Sequence, residues 1–258
     1  MELFWFVYIF SLGLCTGSFL NVAIYRIPKK KSLFFPSSFC PSCLKSIKWF
    51  DNIPLVSWLI LGGKCRACKA NIPITYPINE FVFAILISIL YFIKSPSFFE
   101  LIQIFIFTSL LYIISAIDIR TLKIPNYLNL NTYLFGLITN FILFFKNHEL
   151  TNFFKYYFIS SIMIYVLFEF LRIFFKAIIK KDGFGGGDTK LISAITIWLG
   201  LKAALISILA SIYLGGFFVI FGMIFKRIKR SDKIPFGPFI CGAAYIVNLF
   251  GIDKFSEI

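Results

Sequence analysis

Histidine is nearly missing from this chain. Among 258 residues there is one, His148, set in the polar turn Lys146-Asn147-His148-Glu149. Without a second imidazole, Ser/His/Asp or Cys/His catalysis has little to rest on. Charge is also scarce, at 15% of residues, and carboxylates are the rarer kind, 12 against 26 lysines and arginines. No internal repeat or low-complexity tract stands out. A phosphate-binding loop of the Gly-x-x-x-x-Gly-Lys-Ser/Thr form is absent, and so is a strand ahead of the glycines for a dinucleotide fingerprint. What charge there is sits unevenly, and that unevenness carries information.

Apolar residues make up 59% of the chain, with 35 phenylalanines spread along its length and a mean hydropathy of +0.86. Long stretches are apolar on every face, which excludes an ordinary soluble core and predicts an all-α polytopic membrane protein. The first run, Leu3 to Tyr25, carries no formal charge. Its basic residues (Arg26, Lys29, Lys30, Lys31) follow it, and no small-residue cleavage site ends it, so it reads as a retained first helix and not a signal peptide. Further spans are expected at Tyr76–Ile93, Leu101–Ile117, Tyr127–Phe145, Phe158–Phe175, Leu191–Leu201, Ala203–Phe225 and Ile234–Phe250, about eight in all. Placing the N-terminus outside puts 26–75, 118–126, 172–190 and 226–233 in the cytoplasm with 21 of the 26 Lys and Arg, as the positive-inside rule requires. The net charge of +14 thus sets topology and meets anionic lipid; it does not point to nucleic acid. Leu191–Leu201 is short, but a crossing there keeps the cluster Lys226 to Lys233 inside.

Three domains follow: a first helix over 1–25, a cytoplasmic loop over 26–75, and a multi-helix membrane domain over 76–258. The loop holds Cys40-Pro-Ser-Cys43 and Cys65-Arg-Ala-Cys68. Two such pairs can offer four thiolates to a structural zinc ion. Two disulfides are the competing reading, disfavoured in a reducing compartment. A loop with so little apolar mass also needs a staple to fold. Cys15 and Cys241 fall in helices and read as packing residues.

Two carboxylates stand out. Asp188 closes the glycine-rich stretch Asp182-Gly-Phe-Gly-Gly-Gly-Asp188-Thr189-Lys190, and Asp118 ends the third span before Arg120, Lys123 and Ile124-Pro125. Both fall on the cytoplasmic side at similar depth. Ionisable groups at a membrane are costly and point to function. Close aspartates share one proton, as an aspartyl protease needs. The plain alternative is that Asp118 anchors the interface through Arg120 or Lys123.

The motifs together resemble the type IV prepilin peptidase family across almost the whole chain. They are Gly17-Ser-Phe-Leu-Asn21-Val22 with Tyr25-Arg26-Ile27-Pro28, the cysteine pairs, Ile53-Pro54 with Ser57-Trp58, and Tyr76-Pro77 with Glu80. Asp118 with Ile124-Pro125, Gly185-Gly186-Gly187-Asp188-Thr189-Lys190 and Pro235-Phe-Gly237-Pro238-Phe239 complete the set. The resemblance implies a membrane aspartyl protease of the GxGD type, with Asp118 and Asp188 catalytic. It implies prepilin or pseudopilin substrates cut at the cytoplasmic face of the bacterial inner membrane, behind a basic leader. It further implies N-methylation of the new terminus with S-adenosylmethionine, carried by the N-terminal region, where Glu80 binds amine or cofactor or only starts a helix. The rival from another class is an ion- or proton-coupled transporter using the same two aspartates.

Overall fold

The structure is a computed structural model and describes residues 2–179, 185–229 and 232–251. Among these residues it is helical, with extended pairing only at two isolated bridges. Helix α1 spans Glu2–Arg26 and α2 is a single short helix, Val56–Ile60. Then come α3 (Thr75–Lys94), α4 (Phe98–Thr121) and α5 (Asn126–Lys146). The turn α6 (Leu150–Asn152) runs through a π-helical stretch, Phe153–Ile159, into α7 (Ser160–Ile179). Helices α8 (Gly186–Leu199), α9 (Leu201–Ile224) and α10 (Gly237–Phe250) follow.

All eight apolar segments are helices, but not all are long enough to span. Six reach the length and hydropathy needed. Helices α8 and α10 have 14 residues each, a rise of about 21 Å against a hydrocarbon core of about 30 Å. The expectation of eight spans is therefore not confirmed: among the described residues six helices are long and apolar enough to cross a membrane, and two are short. Prolines sit where helices tolerate them, in the first turn or just before it: Pro77, Pro125 and Pro238.

The chain divides into two compact units, 1–109 and 110–258. In the first, α1 packs along α3 through small residues. A Cβ on Gly13 would come within 2.7 Å of Ala84 Cα, and one on Gly17 within 2.8 Å of Glu80 Cα. Glycines four apart let two helix backbones touch, a device suited to a lipid medium that supplies no hydrophobic drive between helices.

In the second unit α8 is the hub, packed by α5, α7, α9 and α10. Every residue from Leu191 to Leu199 is buried. That explains its short, all-round apolar run: protein surrounds the helix. Its C-terminal end is tied to α5, which supplies a donor to carbonyls that a helix end leaves open. Asn140 donates to the carbonyls of Ile197 and Trp198 at 2.7 and 3.2 Å, and the Trp198 indole donates to Thr132 O at 2.7 Å. Exposed aromatics such as Phe170, Phe217 and Phe221 cover the outer faces of α7 and α9, which suits a lipid solvent and not water. Cys241 is buried as expected, whereas Cys15 lies on an exposed face.

Candidate active site and cysteine centre

Asp118 lies in the last turn of α4, because that helix runs on to Thr121. It is 5% exposed. Its Oδ2 accepts the backbone N–H of Gly237 at 2.9 Å. Glycine permits this close approach, since a Cβ would stand 2.7 Å from the same oxygen and displace it. The Pro235–Phe239 motif, read from sequence as a helix start, therefore also holds a carboxylate.

Asp188 occupies the third position of α8 behind Gly185, Gly186 and Gly187. Its Oδ2 lies against the Gly185 backbone, 2.6 Å from where a Cβ on that glycine would stand. Residues 180–184, including Asp182-Gly183-Phe184, lie outside the described part. Ile124 joins the two segments: it lies 3.1 Å from a Cβ on Gly187 and 3.2 Å from one on Gly237. The carboxylates of Asp118 and Asp188 are close enough to act on each other, and Cys241 lies within reach of both charges.

Neighbouring helices clamp the glycine segment at several points. Asn129 of α5 donates to Gly187 O at 2.9 Å, and Lys190 donates to Asn126 Oδ1 at 2.8 Å. Thr189 donates to Glu169 Oε2 at 3.3 Å, and Arg172 holds that carboxylate through a two-point ion pair. Lys190 is thus a tether of the loop. No sequence signal marked Asn129 or Glu169, because their partners lie 58 and 20 residues away.

In the first unit, Cys40, Cys43, Cys65 and Cys68 converge, with all four Sγ within 4.8 Å of one another. Each pair forms the same knuckle. The N–H of Leu44 returns to Cys40 O and that of Lys69 to Cys65 O, with Leu44 and Lys69 left-handed at φ +59° and +60°. The bridges Phe39–Ser46 and Lys64–Asn71 close the two knuckles. Backbone N–H groups of Cys43 and then Ser42 draw the Cys40 thiol down to about 6, and those of Cys68 and Ala67 lower the Cys65 thiol. All four are free thiols. Cys40 Sγ and Cys68 Sγ stand 3.8 Å apart, far beyond a disulfide and close to the ~3.8 Å edge of a tetrahedron with ~2.3 Å metal–sulfur bonds. The donor set fits a four-coordinate metal.

Glu80 of α3 is 7% exposed. Its carboxylate accepts Leu55 N–H at 2.8 Å, and Ser18 and Asn21 lie beside it. Asn21 in turn donates to Tyr76 O and accepts from Asn79. Glu80 is the hub joining α1, α3 and the cysteine loop. Arg26 adds a second hub, donating to the carbonyls of Ser32, Leu33, Pro36 and Ser37.

Comparison with known proteins bears on this arrangement. Residues 11–94 match the bacterial peptidase A24 N-terminal domain, and residues 105–220 match the type IV leader peptidase family. A prepilin leader peptidase/N-methyltransferase of Aeromonas salmonicida is 30% identical over 272 residues, 96% of this chain and 91% of that protein. The chain belongs to the type IV leader peptidase family. Other members with the same name include that of Pseudomonas aeruginosa, 32% identical over 93% of this chain and 88% of that protein. That of Neisseria gonorrhoeae is 30% identical over 92% and 87%. No solved structure matches.

Proposed function

We propose that this leader peptidase family member cuts the basic leader from prepilins or pseudopilins and then methylates the new N-terminal amine. The single observation that carries the protease half is the meeting of Asp118 and Asp188, from the end of α4 and the start of α8, around Ile124. In this reading the two carboxylates share one proton. The ionised member takes a proton from a water between them, and the protonated member polarises the scissile carbonyl and later protonates the leaving amine. The Gly237 N–H, fixed on Asp118, selects that residue's free oxygen for the water. Glycines 185–187 leave room for a substrate backbone beside Asp188.

The distribution of Lys and Arg supports an N-terminus outside and both aspartates at the cytoplasmic face of the bacterial inner membrane. The cysteine centre holds zinc as a structural ion, and the first unit carries methyl transfer from S-adenosylmethionine. Of the expected domains, the first helix 1–25, the loop 26–75 and α3, the opening helix of 76–258, then serve methyl transfer, and the later helices of 76–258 form the membrane protease. Nothing in the described residues favours transport.

The test is co-expression with a prepilin, followed by mass spectrometry of the mature N-terminus. A product shortened by its leader and heavier by one methyl is expected. An uncut prepilin would sink the reading.

A further inference from the structure

Helix α1 ends against a turn that it holds in place. The N–H groups of Lys29 and Lys31 both return to Arg26 O at 3.1 Å, so the chain folds back over the helix end. Arg26 itself is buried. Its guanidinium donates to Ser32 O, Leu33 O, Pro36 O and Ser37 O at 2.7 to 3.4 Å. Ser32 Oγ accepts the N–H groups of Phe34 and Phe35, each at 3.3 Å. The backbone of residues 29–37 is therefore closed on itself and on the last residue of the first span. The two rings at its tip are left uncovered: Phe34 is 75% exposed and Phe35 80%. Lys30 and Lys31, just ahead of them in the chain, are exposed too. Lys29 lies over the Tyr25 ring, 3.9 Å from its centroid. Two phenylalanines facing outward from a fixed turn are costly in water, and such exposed apolar surface marks an interaction site.

We propose that this turn is a lipid foot. Phe34 and Phe35 enter the interfacial layer of the leaflet at the C-terminal end of α1, and Lys30 and Lys31 meet the phosphates of anionic lipids there. Its place in the chain selects lipid first. Arg26 ends a membrane-spanning helix, so a turn bound to its side chain lies at headgroup depth. Chemistry selects it again, because apolar insertion joined to basic charge is what holds a segment in an anionic membrane interface. The four carbonyls on Arg26 also order the turn beforehand, so insertion loses little conformational entropy. The same lysines disfavour other occupants. They would repel a basic leader such as that of the proposed substrate, and a symmetric second copy would bring like charges together. The foot does not depend on either proposed activity.

The test uses the full chain in lipid nanodiscs, with Phe35→p-benzoylphenylalanine as a photo-cross-linker and mass spectrometry of what it labels. Phe217, exposed on the outer face of α9, takes the same substitution in a separate variant as the reference for lipid contact. In discs of phosphatidylcholine and phosphatidylglycerol, the Phe35 variant should give lipid adducts at a yield within threefold of the Phe217 variant. Replacing the phosphatidylglycerol by phosphatidylcholine should lower the Phe35 yield at least threefold and leave the Phe217 yield within twofold. Lys30→Gln together with Lys31→Gln should do the same. Prepilin is then added to the discs. Adducts on prepilin or on a second copy in place of lipid overturn the foot, and so does the absence of adducts at Phe35 while Phe217 labels. Lipid adducts indifferent to phosphatidylglycerol and to both lysines overturn the anionic-lipid assignment. Should the Phe35 variant fail to fold, as its melting curve in detergent would show, Phe34→p-benzoylphenylalanine is read by the same outcomes.

Discussion

Asn129 shows how a single side chain sets the geometry of this site. Its amide holds Gly187 O at 2.9 Å, one residue ahead of Asp188, from a position 3% exposed. Asn129→Ala would take away the side-chain donor that ties that carbonyl to α5, at about 0.5–1.5 kcal/mol, and free the loop to shift. Small displacements of a reacting group cost up to about a hundredfold in rate. Leader cleavage should therefore fall about 10- to 100-fold while the protein remains folded, as a cleavage time course and a melting curve would show. The cysteine centre makes a prediction of opposite kind. Protons compete with metal for thiolates, and the Cys40 thiol is drawn down to about 6 from an ordinary ~8.5. A depressed thiol favours the folded knuckle above the ordinary value and loses that contribution as pH falls through the folded one. Metal content, measured on protein dialysed at stepped pH, should hold at neutrality and drop below about pH 6.

Helices are where the sequence was most and least legible. Hydropathy located all eight apolar segments because each is a long enough run to register. It could not show that α8 is short and enclosed by protein, since protein and lipid surroundings both select apolar residues on every face. Nor could it find the contact of Gly13 and Gly17 with α3, whose partners Ala84 and Glu80 lie more than sixty residues on. The packing is testable by sign. Gly17→Ala drives a Cβ against the Glu80 backbone at 2.8 Å and should destabilise by about 1–3 kcal/mol. Gly216, inside α9, would meet nothing within 4 Å. Gly216→Ala should be neutral or stabilise by about 0.5–1 kcal/mol. In one detergent the melting temperature of Gly17→Ala should fall while that of Gly216→Ala holds or rises.

At the scale of the whole molecule, the proposed function assigns leader cleavage to one unit and methyl transfer to the other. Asp118, Asp188 and the cysteines were legible because their residue types and spacings are rare in an apolar chain. The supports from Gly237, Asn129 and Arg26 were not, because they are fixed by distant backbone groups. If the division holds, removing the metal with a chelator, or the ligand with Cys40→Ser, should abolish methylation and spare most leader cleavage. Mass spectrometry of the mature pilin would show cut, unmethylated chains.

The claim on which the account stands is that Asp118 and Asp188 together cut the leader. The most direct measurement is the cleavage rate of a purified prepilin by wild type, Asp118→Asn, Asp188→Asn and the double variant, each checked for folding by its melting curve in detergent. The account predicts a loss of at least a thousandfold in each single variant and no further loss in the double, since paired groups that act as a unit are not additive. Cleavage within tenfold of wild type by either folded single variant would contradict it.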